Sequence, residues 1–314
     1  MSNSELAFVF PGQGSQSVGM SSAMAEHYPV VKQIYAEASE VLDYDLWQLV
    51  HSGSESNLNI TAKTQPALLT ACVAVWKVWQ EKGGPVPALM AGHSLGEYTA
   101  LVCSGVLEFR DAVTLVADRG AFMQAAVPEG VGSMAAILGL TENQVMEICG
   151  QAAQGQVVSA ANFNSAGQIV IAGHKEAVNR VVELATAAGA KRSIVLPVSV
   201  PSHCALMREA ADKFAARMEP IVLTSASIPV IHNVDVSIKA EPATIKQALV
   251  EQLYQPVRWV ETIEQMSKKG ITKIVECGPG KVLCGLIKRI DRQIETCPVF
   301  DPESLDKALS AVNG

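Results

Sequence analysis

Residues Ala88–Ala91 form a short apolar run that enters the turn Gly92-His93-Ser94-Leu95-Gly96 and leaves it in a helical pattern over Leu95–Ser104. A strand that hands its chain directly to a helix fits a parallel sheet whose faces are covered by helices. The remaining pattern extends this unit. Leu6–Phe10 is a second apolar strand, stopped by Pro11-Gly12. Helical periodicity covers Val30–Leu42, Gln65–Lys82 (closed by Gly83-Gly84) and Phe109–Ala126. Further on come a helix at Leu206–Met218, a strand at Val230–Asn233, helices at Thr244–Leu253 and Val260–Lys269, and a strand at Lys273–Glu276 before Gly278-Pro279-Gly280. The alternation predicts an α/β protein.

Between these stretches the pattern changes. Strands at Met134–Leu138, Val157–Ala161, Gln168–Ala172 and Ser193–Leu196 are interleaved with helices at Glu142–Ala153 and Glu176–Ala188. Thr141 and Gln144 match a capping box opening the first helix, and Asn164–Gly167 supplies a turn between the middle strands. This βαββαβ order predicts a ferredoxin-like small domain over residues 129–198, inserted into a large domain made of 1–128 and 199–314.

Composition mainly excludes. A net charge of −7 argues against nucleic acid as a partner. The basic cluster Lys281, Lys288, Arg289 and Arg292 reads as a solvated helix face. No apolar run reaches the roughly 18 residues of a membrane span, and Met1–Glu5 lacks the basic start of a signal peptide, so a soluble, cytoplasmic protein is expected. The seven cysteines are scattered without a Cys-x-x-Cys pair, so neither a metal site nor a disulfide framework is expected. Cys204 adjoins His203, but sequence neighbours point apart, and a better-placed nucleophile exists.

That nucleophile is Ser94. Gly92-x-Ser94-x-Gly96 fits a nucleophile elbow, and the strand before it and helix after it are the required context. The following helix N-terminus offers free N–H groups to a developing oxyanion. A serine hydroxyl needs a base. Of the six histidines, His27 and His51 lie in polar surroundings, His174 ends a strand of the small domain, His232 sits in an apolar strand, and His93 points away from its neighbour Ser94. His203, where the chain re-enters the large domain, is the base by elimination.

Pro11–Gln16 is a second glycine-rich turn. As a dinucleotide fingerprint it carries Ser17 where the third glycine belongs, and as a P-loop it carries Met20 where lysine belongs. Both readings fail, leaving a backbone N–H donor that completes an oxyanion hole with Leu95 N–H. Arg119 lies among apolar residues in Phe109–Ala126. It is either salt-bridged to an acid such as Asp118 or forms a bidentate clamp on a substrate carboxylate.

Taken together, Phe8–Gln16, Gly92–Tyr98, Arg119, Val200–His203 and Glu276–Gly280 resemble, in this order, the bacterial malonyl-CoA:acyl carrier protein transacylases of fatty acid synthesis. The resemblance covers nearly the whole chain. It implies an α/β-hydrolase-like large domain, Ser94 as the acylated nucleophile, His203 as general acid/base and Arg119 as the partner of the malonyl carboxylate. Gln13 and Leu95 would supply the oxyanion N–H groups, and Gln252 would orient His203 by accepting its second N–H. The implied partners are malonyl-CoA and holo acyl carrier protein, whose phosphopantetheine is the only prosthetic group; no cofactor or metal of the chain's own is implied. A serine esterase or thioesterase would share the elbow, but the chain has no HGGG-type segment. Selectivity around Ser202 and Met123 stays open between malonyl and other extender units.

Overall fold

The computed structural model describes residues 2–198 and 200–313. The expected domain boundary at Ser199, and the chain ends Met1 and Gly314, lie outside the described residues. Nine strands occur among the described residues, numbered in chain order: β1 (Ser2–Phe10), β2 (Val86–Gly92), β3 (Gly132–Leu138), β4 (Val158–Ser165), β5 (Gln168–His174), β6 (Arg192–Val195), β7 (Val230–Ile231), β8 (Lys273–Cys277) and β9 (Glu295–Val299). They form two sheets. One is wholly parallel, in the order β7-β2-β1-β8-β9; the other is antiparallel, in the order β4-β5-β3-β6.

Strand β1 shows why the parallel sheet is covered on both faces. Leu6, Phe8 and Phe10 point into one core and Ala7 and Val9 into another, so a continuous apolar run serves two layers. Phe8 packs edge-on against Trp76 and Trp79 of the helix Thr61–Glu81. The opposite face is covered by the helices Trp259–Lys268 and Val282–Ile290, through Ile263, Met266, Leu283 and Ile287. The antiparallel sheet has its own core, in which Ile137, Ile169 and Ile171 meet Val145, Ile148, Val178 and Val181 of its two helices. It joins the rest along β4, where Phe163 N–H donates to Val257 O and Val257 N–H donates to Ala161 O.

Most expected elements are present, and the differences have local causes. The helices Phe109–Ala126 and Glu142–Ala153 keep their expected limits; the second is fixed by the reciprocal Thr141–Gln144 capping box. Strand β4 runs through Asn164, which sequence reading placed in the turn, because pairing with β5 continues to Ser165. The helix expected from Leu206 opens as a 3-10 turn, Ala205–Met207, before Arg208–Met218. After β8 the chain adds the helix Val282–Ile290, which carries Lys288 and Arg289 of the expected solvated basic face, and then β9 and Pro302–Asn313, which sequence reading left unassigned. Strand β9 is an edge strand, which tolerates its Pro298.

The sheet order places two loops together. β1 and β2 pair in parallel with Phe10 opposite Gly92, so the Pro11–Gly14 loop and the elbow emerge side by side at the carboxyl ends of the strands. The approach is close: a Cβ on Gly12 would sit 2.5 Å from His93 O. A Cβ on Gly96 would overlap the Phe10 carbonyl, and one on Gly92 would overlap Gly96 itself. The obstacles are backbone atoms and cannot rotate away. Gly96→Ala is therefore expected to destabilise the fold by about 3 kcal/mol or more, at the upper end of overpacking costs. A denaturation midpoint unchanged from wild type would refute this packing account.

Candidate active site

Ser94 sits at the tip of the elbow with φ +52°, a left-handed backbone unusual for a non-glycine residue. Asn233, just beyond β7, holds it there: Ser94 N–H donates to Asn233 Oδ1 at 2.8 Å, and Asn233 Nδ2 donates to Gly92 O at 2.7 Å. The turn leaves Ser94 Oγ facing a cleft of about 570 Å³ between the two sheets, lined also by Gln13, Leu95, Arg119, Met123, Ser202 and His203.

His203 Nε2 lies 2.8 Å from Ser94 Oγ, and His203 Nδ1–H donates to the backbone carbonyl of Gln252 at 2.7 Å. The carbonyl can only accept, which fixes the tautomer and leaves the Nε2 lone pair for the serine proton. His203 is also left-handed, at φ +63°, and only 3% exposed. Burial first, and then the charge of Arg119, push its pKa from 6.5 down to about 3. The imidazole is thus neutral and available as a base at neutral pH. Its stability contribution has the sign of a depressed group. Below pH 6.5 the unfolded chain takes a proton that the folded chain refuses until about pH 3, so stability is lost across that window.

Gln13 and Leu95 both line the cleft, and neither backbone N–H has an acceptor among the described residues. Leu95 directly follows the serine at the start of the helix Gly96–Cys103, and Gln13 comes from the loop that Gly12 presses against the elbow. Two free donors beside a serine can hold an oxyanion.

Arg119 is 1% exposed. It reaches the site because the helix Phe109–Ala126 crosses Thr61–Glu81 closely at Gly120, where a Cβ would be 2.7 Å from Ala62 Cα. Its Nη1 donates to Gln65 Oε1 at 2.9 Å and its Nη2 to Gln252 Oε1 at 2.9 Å, with Ser94 Oγ 3.4 Å away. The guanidinium also lies over the Tyr98 ring. The alternative salt bridge to Asp118 is absent, since Asp118 accepts instead from Arg217 Nε at 2.6 Å. Every partner of Arg119 among the described residues is neutral, and its Nε has none. A buried cation without an anion is costly, and a carboxylate entering the cleft would relieve that cost.

The expected set therefore converges, with one refinement: it is the main chain of Gln252 that meets His203, while its side chain engages Arg119. Cys204 is no rival nucleophile. Its Sγ donates to Pro201 O and burial pushes its pKa up to about 11. His93 Nε2–H donates to Asn164 Oδ1 at 2.8 Å, which ties the elbow to β4. Sequence reading missed Gln65, Glu97, Asn164 and Asn233. Glu97, the one charged residue of the helix Gly96–Cys103, carried the one signal that could have been noticed.

Comparison with known proteins agrees with this geometry. Residues 7–300 match the acyl transferase domain model. The malonyl CoA-acyl carrier protein transacylase of Salmonella typhimurium is 56% identical over 306 residues, covering 98% of this chain and 99% of the relative. The crystal structure of an acyl carrier protein S-malonyltransferase from Vibrio cholerae is 57% identical with a TM-score of 0.95, covering 96% of this chain and 99% of that one. A malonyl-transacylase in complex with its type II PKS acyl-carrier protein is 56% identical with a TM-score of 0.97, covering 98% of this chain and 99% of that one. With the elbow, the imidazole and the unpaired guanidinium converging in one cleft, and this similarity running from end to end, the chain belongs to the acyl transferase domain family and, within it, to the malonyl CoA-acyl carrier protein transacylases.

Proposed function

We propose that this protein moves a malonyl group from malonyl-CoA to the phosphopantetheine thiol of holo acyl carrier protein through a malonyl-serine intermediate. The observation that carries the acyl-group assignment is Arg119: a buried guanidinium, lacking any anionic partner, within 3.4 Å of the nucleophile. A malonyl thioester bound with its carboxylate on Arg119 would bring its carbonyl carbon to Ser94 Oγ.

The steps follow from the hydrogen bonds. His203 Nε2 takes the Ser94 proton as Oγ bonds to the thioester carbon. Leu95 and Gln13 N–H groups stabilise the oxyanion, each worth about 2.7–4 kcal/mol of barrier in comparable sites. Collapse breaks the carbon–sulfur bond, and coenzyme A leaves with the proton held on His203. The phosphopantetheine thiol then gives its proton to His203 and attacks the malonyl ester; collapse breaks the Oγ–carbon bond, and His203 returns the proton to Ser94 Oγ as the malonyl thioester leaves. No cofactor or metal of the protein's own enters this cycle.

The relatives' names support the substrate pair, and the related carrier complex supports acyl carrier protein as the acceptor. We place the work in the cytoplasm, without nucleic acid or membrane partners; no helix among the described residues is long and apolar enough to cross a membrane. The separate core of the second sheet and its order β4-β5-β3-β6 support a ferredoxin-like small domain over 129–198. The residues 1–128 and 199–314 then form an α/β-hydrolase-like large domain, whose strand–serine–helix elbow supports that reading.

Intact mass after brief incubation with malonyl-CoA tests the proposal. One added malonyl group is expected, discharged by holo acyl carrier protein much faster than by buffer. Discharge by water at the same rate would make the protein a hydrolase. A second expectation concerns pH. Because His203 is neutral until far below 6.5, kcat/KM with acetyl-CoA, which carries no acyl carboxylate, should hold its value through pH 6.5 and decline only at lower pH. An acid limb centred at the ordinary histidine value would contradict the buried, Arg119-facing imidazole.

A further inference from the structure

Behind Gln252 lies a buried acid that the reaction cycle does not use. Glu97 is fully buried, one residue into the helix that follows the elbow. Its Oε2 accepts from Gln252 Nε2 at 2.8 Å and from Asn233 N–H at 3.0 Å, and its Oε1 accepts from His232 Nδ1–H at 2.7 Å. Three donors converge on this one side chain, the surroundings suited to a carboxylate, which only accepts. Gln252 is equally confined. Its Nε2 faces two acceptors, Glu97 Oε2 and Ser94 O, so its Oε1 must face the other way, onto Arg119 Nη2.

We propose that Glu97 is a positioning residue for acyl-group specificity: its carboxylate holds the Gln252 amide in one orientation and gives Arg119 a counter-charge one amide away. The inference rests on the malonyl reading of Arg119. A carboxylate directly against the guanidinium would close the ion pair and compete with the substrate's own carboxylate. A charge set back behind an amide aligns the cation yet puts no anion in contact with it, so an acidic acyl group can pair with it. Asn233 and His232 complete the arrangement from the β7 end. Asn233 also clamps the serine, so elbow and cation share one buried anchor.

The test compares malonyl-CoA with acetyl-CoA in loading Ser94, followed by intact mass and by kcat/KM. In Glu97→Gln the facing amide of Gln252 loses its reason to point Oε1 at Arg119. The malonyl-to-acetyl ratio of kcat/KM is expected to fall about 10- to 100-fold, the scale of one hydrogen bond to a charged group. A purely structural role for Glu97 would lower both acyl groups alike, and that result, or a wild-type ratio, overturns the proposal. The exchange E97Q/Q252E keeps a hydrogen bond between the two side chains but moves the charge onto Arg119. It serves as well if Glu97→Gln does not fold. Malonyl loading should stay suppressed in the exchange, whereas restoration of the wild-type ratio would overturn the proposal. Arg119→Ala, measured alongside, separates the two ideas: if it leaves the ratio intact, the malonyl reading itself fails; if it lowers the ratio while both Glu97 variants do not, only the role of Glu97 fails.

Discussion

Ser94→Ala is expected to leave no malonyl adduct after incubation with malonyl-CoA and to lower transfer to holo acyl carrier protein by about 10⁵-fold or more, the scale seen when a serine nucleophile is removed. The loss should be chemical. Ser94 already carries a Cβ at φ +52°, and Asn233 holds its backbone N–H, so alanine can take the same backbone. The hydroxyl's partners are His203 Nε2 and, more distantly, Arg119 Nη2; the imidazole keeps its bond to Gln252 O and the guanidinium keeps those to Gln65 and Gln252 Oε1, so neither is released by the substitution. The denaturation midpoint should therefore stay near wild type. An adduct persisting in Ser94→Ala would point to another nucleophile. Cys204 is a poor candidate, because burial raises its pKa and its Sγ is turned to Pro201 O.

How far this site could be read in advance depended on whether its parts are local in sequence. The elbow is local: strand, two glycines, serine and helix lie within about twenty residues, and the close contacts of Gly92 and Gly96 are the reason glycine stands at both positions. His203 lies 109 residues from Ser94 and was reached only by excluding the other histidines. Arg119 could not be decided at all from its neighbours. Asp118 follows the helix round to a different face and pairs with Arg217, 99 residues later, so the guanidinium's lack of an anion is a fact of tertiary structure. Asn233 and Gln65 were invisible for the same reason, and Glu97, noticeable as an acid in its helix, gave no sign of its partners: each acts by meeting a residue from a distant segment. Family resemblance placed Gln252, but it did not distinguish the backbone carbonyl that holds His203 from the side chain that holds Arg119. In the fold, the strong local signals set the limits of Glu142–Ala153, whereas β9, half-exposed and interrupted by Pro298, has no such signal.

Arg119→Ala should discriminate between acyl groups. A malonyl carboxylate bound in the variant would be buried without its partner, at a cost of roughly 3–5 kcal/mol, or about 10²- to 5 × 10³-fold in kcat/KM. Acetyl-CoA brings no carboxylate, so its transfer should fall far less, and the ratio of the two is the quantity to measure. The same substitution acts on His203. Burial is the larger cause of the depressed imidazole pKa and remains, but the Arg119 charge is the second cause and is removed. The pKa must then rise, and the acid limb of kcat/KM for acetyl-CoA should move to higher pH. In wild type a bound malonyl carboxylate would act in the same direction, because pairing with Arg119 offsets the field that holds His203 down. The substrate's own charge would then make its base more basic at the moment of attack. A residue that merely fills the core would produce neither effect: it would lower both acyl groups together and leave the limb where it was.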